Sequence, residues 1–340
     1  MKLIKDEDGV YRRQALSPST SVRTSIWISI FSVLTAGLLS LHLNTRLIED
    51  SSSPQLELTR KHSYRLAVVG DIACQPSDPN YNEGNGIVNA CQHKKVAESI
   101  ARDRVDAVVL LGDIQYYYGR FEDFESSFVP PWRAVTRPLY IVPGNHDYGD
   151  GSLAGYTKTW QQFFPSATYQ AEGRPYYTAQ FGDWRAYALD SNCEFVGGCD
   201  INSEQYKYLT RQVSSTMSTC SLAMWHHPTL TSGVHQEPDS LARAANFSQL
   251  LDQHGVDIVL NGHDHDYERL TPPGAGYRQF VVGTGGMNLR PAPGILVDGS
   301  ELFDAEHFGY LFLELFPNRY EWQFKNTEGM VLDSGQSSCR

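Results

Sequence analysis

The 340-residue chain predicts an α/β fold, with two packed mixed sheets flanked by helices in a four-layer α/β/β/α sandwich. Three observations lead there. Over the early part of residues 64–340, short apolar, β-rich runs alternate with helical patterns. Hairpin patterns gather towards the end. Polar residues with metal-binding chemistry stand at the ends of the apolar runs, where open α/β sheets place their sites.

Residues 64–70 read as the first strand, followed by a Gly-, Asn- and Pro-rich loop at 75–86. A helix over 88–103 turns Val96, Ile100 and Ala101 inward. The strand at 106–111 leads into an aromatic-rich segment, 116–128. Pro130-Pro131 is expected to break the chain before the strand at 138–142. An irregular lobe at 148–175 carries a helix around 156–164. Strands 176–181 and 184–189 form a hairpin across Gly182-Asp183. Helices at 202–216 and 239–253 lie on either side of the strand Leu222-Ala223-Met224-Trp225. Residues 256–260 form another strand, and 309–316 with 319–324 a terminal hairpin. There is no internal repeat and no low-complexity tract.

Seven metal-binding side chains follow these runs. Asp71 closes Leu66-Ala67-Val68-Val69-Gly70-Asp71, and Asp113 closes Val108-Val109-Leu110-Leu111-Gly112-Asp113 with Tyr116 three residues on. Asn145 lies in Gly144-Asn145-His146-Asp147, His226 follows Trp225, and His263 and His265 frame Gly262-His263-Asp264-His265. Taken alone, each piece has a plain structural reading. Gly-Asp and Gly-Asn are turn pairs, and a single histidine or tyrosine is usually packing. Together they exceed one metal and suit two, held about 3.5–4 Å apart to clamp both oxygens of a phosphoryl transfer. Carboxylate, amide, imidazole and phenolate donors suit borderline divalent metals and ferric iron rather than calcium or a closed cysteine-zinc site.

These motifs, with His226-His227-Pro228, make the chain resemble the calcineurin-like metallophosphoesterases over about residues 64–335. It is most similar to the purple acid phosphatase branch, in its small, single-domain, tartrate-resistant type; Tyr116 is the most branch-specific feature. The resemblance implies the layered sandwich and a dinuclear centre. Asp71, Tyr116 and His265 would hold Fe(III); Asn145, His226 and His263 would hold a divalent ion (Fe, Zn or Mn); and Asp113 would bridge. His146 and His235 match substrate-facing histidines and are the catalytic candidates. His227 and Asp264 are read as packing or supporting residues. The implied activity is acid phosphomonoester hydrolysis by a metal-bound hydroxide. One alternative is a phosphodiesterase with a Mn, Zn or Fe centre, and another is a non-catalytic, membrane-anchored binding module. Loops 148–175 and 229–240 are expected to wall the pocket.

Composition sets further bounds. A formal charge of −11 disfavours nucleic acid as a partner while permitting a small phosphate ester. All six cysteines follow residue 70, which points to disulfides in an oxidising compartment. Of the 15 pairings six cysteines allow, the sequence favours Cys74–Cys91, Cys193–Cys199 and Cys220–Cys339, with six buried thiols as the alternative. Residues 26–43 form the single membrane-length apolar run. Lys2, Lys5, Arg12, Arg13 and Arg23 precede it, so residues 1–25 are expected to be a cytoplasmic tail and 26–43 a signal anchor. Residues 44–63 would then be a linker and 64–340 an extracytoplasmic catalytic domain; a cleaved signal, with secretion, is the competing reading.

Overall fold

The computed structural model describes residues 3–5, 11–13, 63–149, 151–169, 176–215 and 220–340. The expected membrane segment 26–43 and nearly all of the 44–63 linker lie outside the described residues. Among the described residues, no helix is long and apolar enough to cross a membrane.

The strands are β1 (Leu3–Lys5), β2 (Tyr11–Arg13), β3 (Tyr64–Val69), β4 (Ala107–Leu110), β5 (Leu139–Ile141), β6 (Thr168–Tyr169), β7 (Tyr177–Phe181) and β8 (Trp184–Ala188). They continue as β9 (Ser221–Met224), β10 (Ile258–Asn261), β11 (Tyr267–Leu270), β12 (Arg278–Val282), β13 (Ser300–Asp304), β14 (Gly309–Phe316), β15 (Arg319–Asn326) and β16 (Val331–Ser338). One sheet has the order β16-β15-β14-β3-β4-β5-β6, the other β1-β2-β13-β11-β12-β10-β9-β8-β7. Both are mixed. β3, β4 and β5 are parallel in the first, and β8, β9, β10 and β12 in the second.

Strand alternation explains the layers. On β3, Leu66 and Val68 point into the core between the sheets, where they meet Leu222, Met224, Leu260 and Phe280 of the second sheet. Ala67 and Val69 point the other way, onto Val96 and Ile100 of the helix His93–Arg102 and the tryptophans Trp132 and Trp160. Across the molecule, Ala223, Trp225 and Val259 face Leu209 and Val213 of the helix Glu204–Ser214 and Phe247 and Leu251 of the helix Ala245–Gln253. Helix, sheet, sheet and helix thus stack in the expected four layers.

Several elements differ from expectation. Pro130 and Pro131 do not break the chain. They occupy the opening positions of the helical turn Val129–Trp132, which continues Phe121–Asp123 through a π-helical turn at Phe124–Phe128. Proline's fixed φ is compatible with that helical turn. The helix expected from 88 begins at His93, because Cys91 has φ 60° and the Gln92 side-chain Nε2 donates back to the Ile87 and Val88 carbonyls. The helix expected over 239–253 is two, Pro238–Ala242 and Ala245–Gln253. At the break, Arg243 pairs with Glu194 at 2.7 Å. Strands β1 and β2, in the expected tail, and β6, in the expected irregular lobe, are not read from the sequence, and neither are β11, β12, β13 and β16. Their Glu268, Arg269 and Asp333 obscure the apolar pattern, yet Asp333 is buried as an acceptor for Tyr267, Arg269 and Trp322.

Three disulfides join Cys74 to Cys91, Cys193 to Cys199 and Cys220 to Cys339. The last ties the entry of β9 to the chain's end across a sequence separation of 119. Replacing Cys220 and Cys339 together by alanine should lower unfolding free energy by about 3–5 kcal/mol in a urea melt. A change below about 1 kcal/mol would show that the bond does not restrain the unfolded chain.

Candidate metal centre

The parallel strands of both sheets end at one crevice. Asp71, Asp113 and Asn145 follow β3, β4 and β5; His226 follows β9, and His263 and His265 follow β10. Asp71, Asp113 and His263 have φ of 59°, 48° and 73°, a left-handed backbone that costs a non-glycine residue energy and concentrates at functional sites. Glycines open the space. A Cβ on Gly144 would lie 2.1 Å from Asp113 Oδ1, and one on Gly112 would lie 2.6 Å from Gly144 N and 2.7 Å from His226 Nδ1.

Six of the seven expected ligands are linked by short distances. The Tyr116 hydroxyl is 2.8 Å from Asp71 Oδ1, 3.0 Å from Asp113 Oδ2 and 2.9 Å from His265 Nε2. His226 Nε2 is 3.3 Å from Asp113 Oδ2 and 3.3 Å from His263 Nδ1. Asp71, Asp113 and His226 bring ligand atoms within 4.8 Å of one another. Asp113 therefore stands between the Asp71–Tyr116–His265 group and the His226–His263 group. Asn145 keeps a buried Oδ1 without a hydrogen-bond partner.

Surrounding groups fix the ring tautomers. His226 Nδ1 donates to the Leu111 carbonyl at 2.7 Å, and His265 Nδ1 to that of Asn288 at 2.7 Å. Both Nε2 atoms are thereby turned inward; burial alone would lower the His226 pKa, but the Asp113 and Asp71 carboxylates outweigh it and raise it to about 9. Tyr116 has one proton, yet three acceptors surround its oxygen. Burial pushes the Tyr116 phenol well above its ordinary pKa and the Asp71 carboxyl up to about 7. Burial also acts on Asp113, but the imidazoles of His226 and His146 outweigh it and hold that carboxyl low. Burial lowers His265 to about 3 and His263 well below the usual imidazole value, so both present neutral nitrogens. An excess of acceptors, neutral imidazoles and an orphaned amide oxygen fit a bound cation.

His146 and His235 border the crevice. His146 Nδ1 is 2.9 Å from the Tyr117 carbonyl and its Nε2 is 3.9 Å from Asp113. His235 stacks on His263 with ring centroids 4.0 Å apart, and its Nδ1 is 2.8 Å from Asp264 Oδ1. Asp264, which the sequence suggests as a packing or supporting residue, also accepts from Thr231 Oγ1 and the amides of Val234 and His235. It fastens the 231–235 loop to the centre. His227 is buried, 2.8 Å from Ser191 Oγ. Asp147 supports the other side, accepting from the amides of Gly144 and Ile114. Asn288 and the Leu111 carbonyl carried no sequence signal, because one acts through its backbone and the other is an ordinary strand residue.

The family model for calcineurin-like phosphoesterases matches residues 64–267. Arabidopsis thaliana purple acid phosphatase 15 is 25% identical over 262 residues, 65% of this chain and 45% of that protein. The chain thus spans under half the length of that relative. Mouse tartrate-resistant acid phosphatase type 5 is 28% identical over 245 residues, 63% of this chain and 70% of the mouse protein. Among solved structures, yellow lupin purple acid phosphatase PPD1 superposes with a TM-score of 0.66 at 20% identity, covering 82% of this chain and 54% of the lupin chain, a likeness of fold.

The crowding at Gly112 is directly testable. Its φ of +89° and the close approach of Gly144 and His226 leave no room for a methyl group. Gly112→Ala should destabilise the protein by about 2 kcal/mol or more in a urea melt. An unchanged midpoint and slope would contradict this packing.

Proposed function

The chain belongs to the calcineurin-like phosphoesterase family, and on that premise we propose that it hydrolyses phosphoric monoesters at a dinuclear Fe(III)–divalent metal centre. The observation that carries the reading is the Tyr116 hydroxyl, within 3.0 Å of Asp71, Asp113 and His265. Asp71, Tyr116 and His265 would hold the ferric ion, Asn145, His226 and His263 the divalent ion, and Asp113 both. Bound there, the pair would supply positive charge against phosphate oxygens and acidify a water molecule.

The remaining steps belong to the protein. With its Nδ1 turned to the Tyr117 carbonyl, His146 directs Nε2 to the crevice. With its Nδ1 held by Asp264, His235 directs Nε2 away from that carboxylate. Both rings, part-exposed at the rim, are placed to bind phosphate oxygens and pass a proton to the leaving oxygen. The 229–240 loop walls this side, because Asp264 anchors it through four hydrogen bonds. A phosphodiesterase centre without a phenolate ligand gives no role to the Tyr116 hydroxyl. A non-catalytic binding module gives none to the complete donor set.

The disulfides suit an oxidising compartment. We propose that residues 26–43 carry the domain there, as an uncleaved anchor or as a cleaved signal. Strands β1 and β2 pair with each other, and β2 pairs with β13 at Leu302 and Phe303. An anchor would put them across the membrane from that edge, and cleavage would remove them. Either fate leaves β13 as the sheet edge.

Two tests follow. Asp113→Asn should reduce turnover of a phosphate monoester at least about a hundredfold, since the centre supplies several kcal/mol to the transition state. Unaltered turnover would remove Asp113 from the mechanism. Tyr116→Phe should abolish a visible phenolate-to-iron charge-transfer band in the oxidised protein. A colourless, iron-free protein that hydrolyses diesters faster than monoesters would establish the diesterase instead.

A further inference from the structure

We propose that the Cys74–Cys91 disulfide positions the half of the metal centre made by Asp71, Tyr116 and His265, while Asn145 and His226 are held without it. The inference rests on the metal-centre reading above. Cys74 is fully buried and Cys91 is 1% exposed, so the bond is not a surface staple. Both sulfurs share a small buried cluster with Ala90, Tyr116 and Met287. Met287 Sδ lies 3.4 Å from Cys74 Sγ.

Each end of the bond leads to a donor. On the Cys74 side, residues 71–74 are zipped to 113–116: Ile72 N donates to Asp113 O at 2.9 Å, Ala73 N to Ile114 O at 3.0 Å and Tyr116 N to Ala73 O at 2.9 Å. On the Cys91 side, Cys91 N donates to Met287 O at 3.3 Å, Gln92 N to Gly286 O at 2.9 Å and Leu289 N to Asn89 O at 3.1 Å. The 286–289 segment so fixed contains Asn288, whose carbonyl orients His265, and Met287 N, which donates to the Asp71 carbonyl at 3.1 Å. The disulfide is the covalent tie between these two sides.

Apart from the disulfide the loop is held by scattered contacts: Tyr81 Oη donates to Ser126 O at 3.0 Å, Tyr117 Oη to Asp78 Oδ2 at 3.4 Å, and the Tyr81 ring stacks on His93. Between 75 and 90 its regular structure is a single turn, Asn82–Gly84, while Ile87 and Val88 are 47% and 90% exposed. The other half of the centre has anchors of its own, although Asp147 also accepts from Ile114 N at 3.0 Å. His226 is held by the Leu111 carbonyl, and the turn bearing Asn145 by Asp147. Neither route passes through 74–91 or 286–289.

The test is metal binding, independent of turnover. Cys74→Ser/Cys91→Ser, Cys74→Val/Cys91→Ala (which keeps the space apolar without a branched residue at the left-handed Cys91 position) and the control Cys193→Ser/Cys199→Ser would be compared with the wild type. Each would be measured for metal per chain after dialysis, for the charge-transfer band and for a cooperative melt. We expect the two 74/91 variants to melt cooperatively, lose the band and bind iron about 10–100-fold more weakly, the range for loss of groups that orient ligands. They should keep the divalent ion, and the control should keep both. Retention of both metals and the band by either 74/91 variant overturns the inference. So does loss of cooperative folding in both, which would make the bond a global restraint. A wild-type protein without metal overturns the metal-centre reading itself, and this inference with it.

Discussion

A buried phenol with one proton and three acceptors around its oxygen is the constraint on which the rest of this structure depends. Tyr116, Asp71, Asp113 and His265 meet within hydrogen-bonding distance, and all four side chains are buried. Burying acceptors without matching donors costs on the order of 1–3 kcal/mol each, and more for charged groups. A cation relieves that cost for every member at once. Neutral His263 and His265, their pKa values lowered by burial, and the unpartnered Asn145 oxygen answer to the same requirement.

The fold makes such a concentration possible by placing strand ends from two sheets against each other. The core between the sheets fixes their spacing through residues such as Val68, Leu111, Met224 and Leu260. The ends of the parallel strands then bring carboxylates from one side and imidazoles from the other. Gly112 and Gly144 keep the gap open at atomic scale, and left-handed backbone at Asp71, Asp113 and His263 turns the donors inward. Supporting groups set orientation. Asp264 holds His235, Asp147 holds the turn at Asn145, and the 286–289 segment holds His265.

Much of this was legible in the sequence, for physical reasons. A buried parallel strand needs a continuous apolar run, so β3, β4 and β10 announced themselves and carried Asp71, Asp113 and His263 to predictable places. Strands β11, β12, β13 and β16 did not, because cross-strand ion pairs such as Arg269 with Glu301 and Asp333 put charge into strand positions. Pro130-Pro131 reads as a break because proline lacks an N–H, yet its fixed φ suits the helical turn Val129–Trp132. Supporting groups were the least legible. Asn288 and Leu111 act through backbone carbonyls, which any residue offers. The roles of His146 and His235 came from resemblance, and the structure sets their rings at the crevice rim.

Anomalous diffraction from crystals of the purified protein, recorded above and below the iron absorption edge, bears most directly on the central claim. The account predicts two peaks about 3.5–4 Å apart. One, with an iron edge, should lie among Asp71, Tyr116 and His265, the other among Asn145, His226 and His263, with Asp113 reaching both. A single peak, or a second one remote from Asn145 and His226, would contradict it.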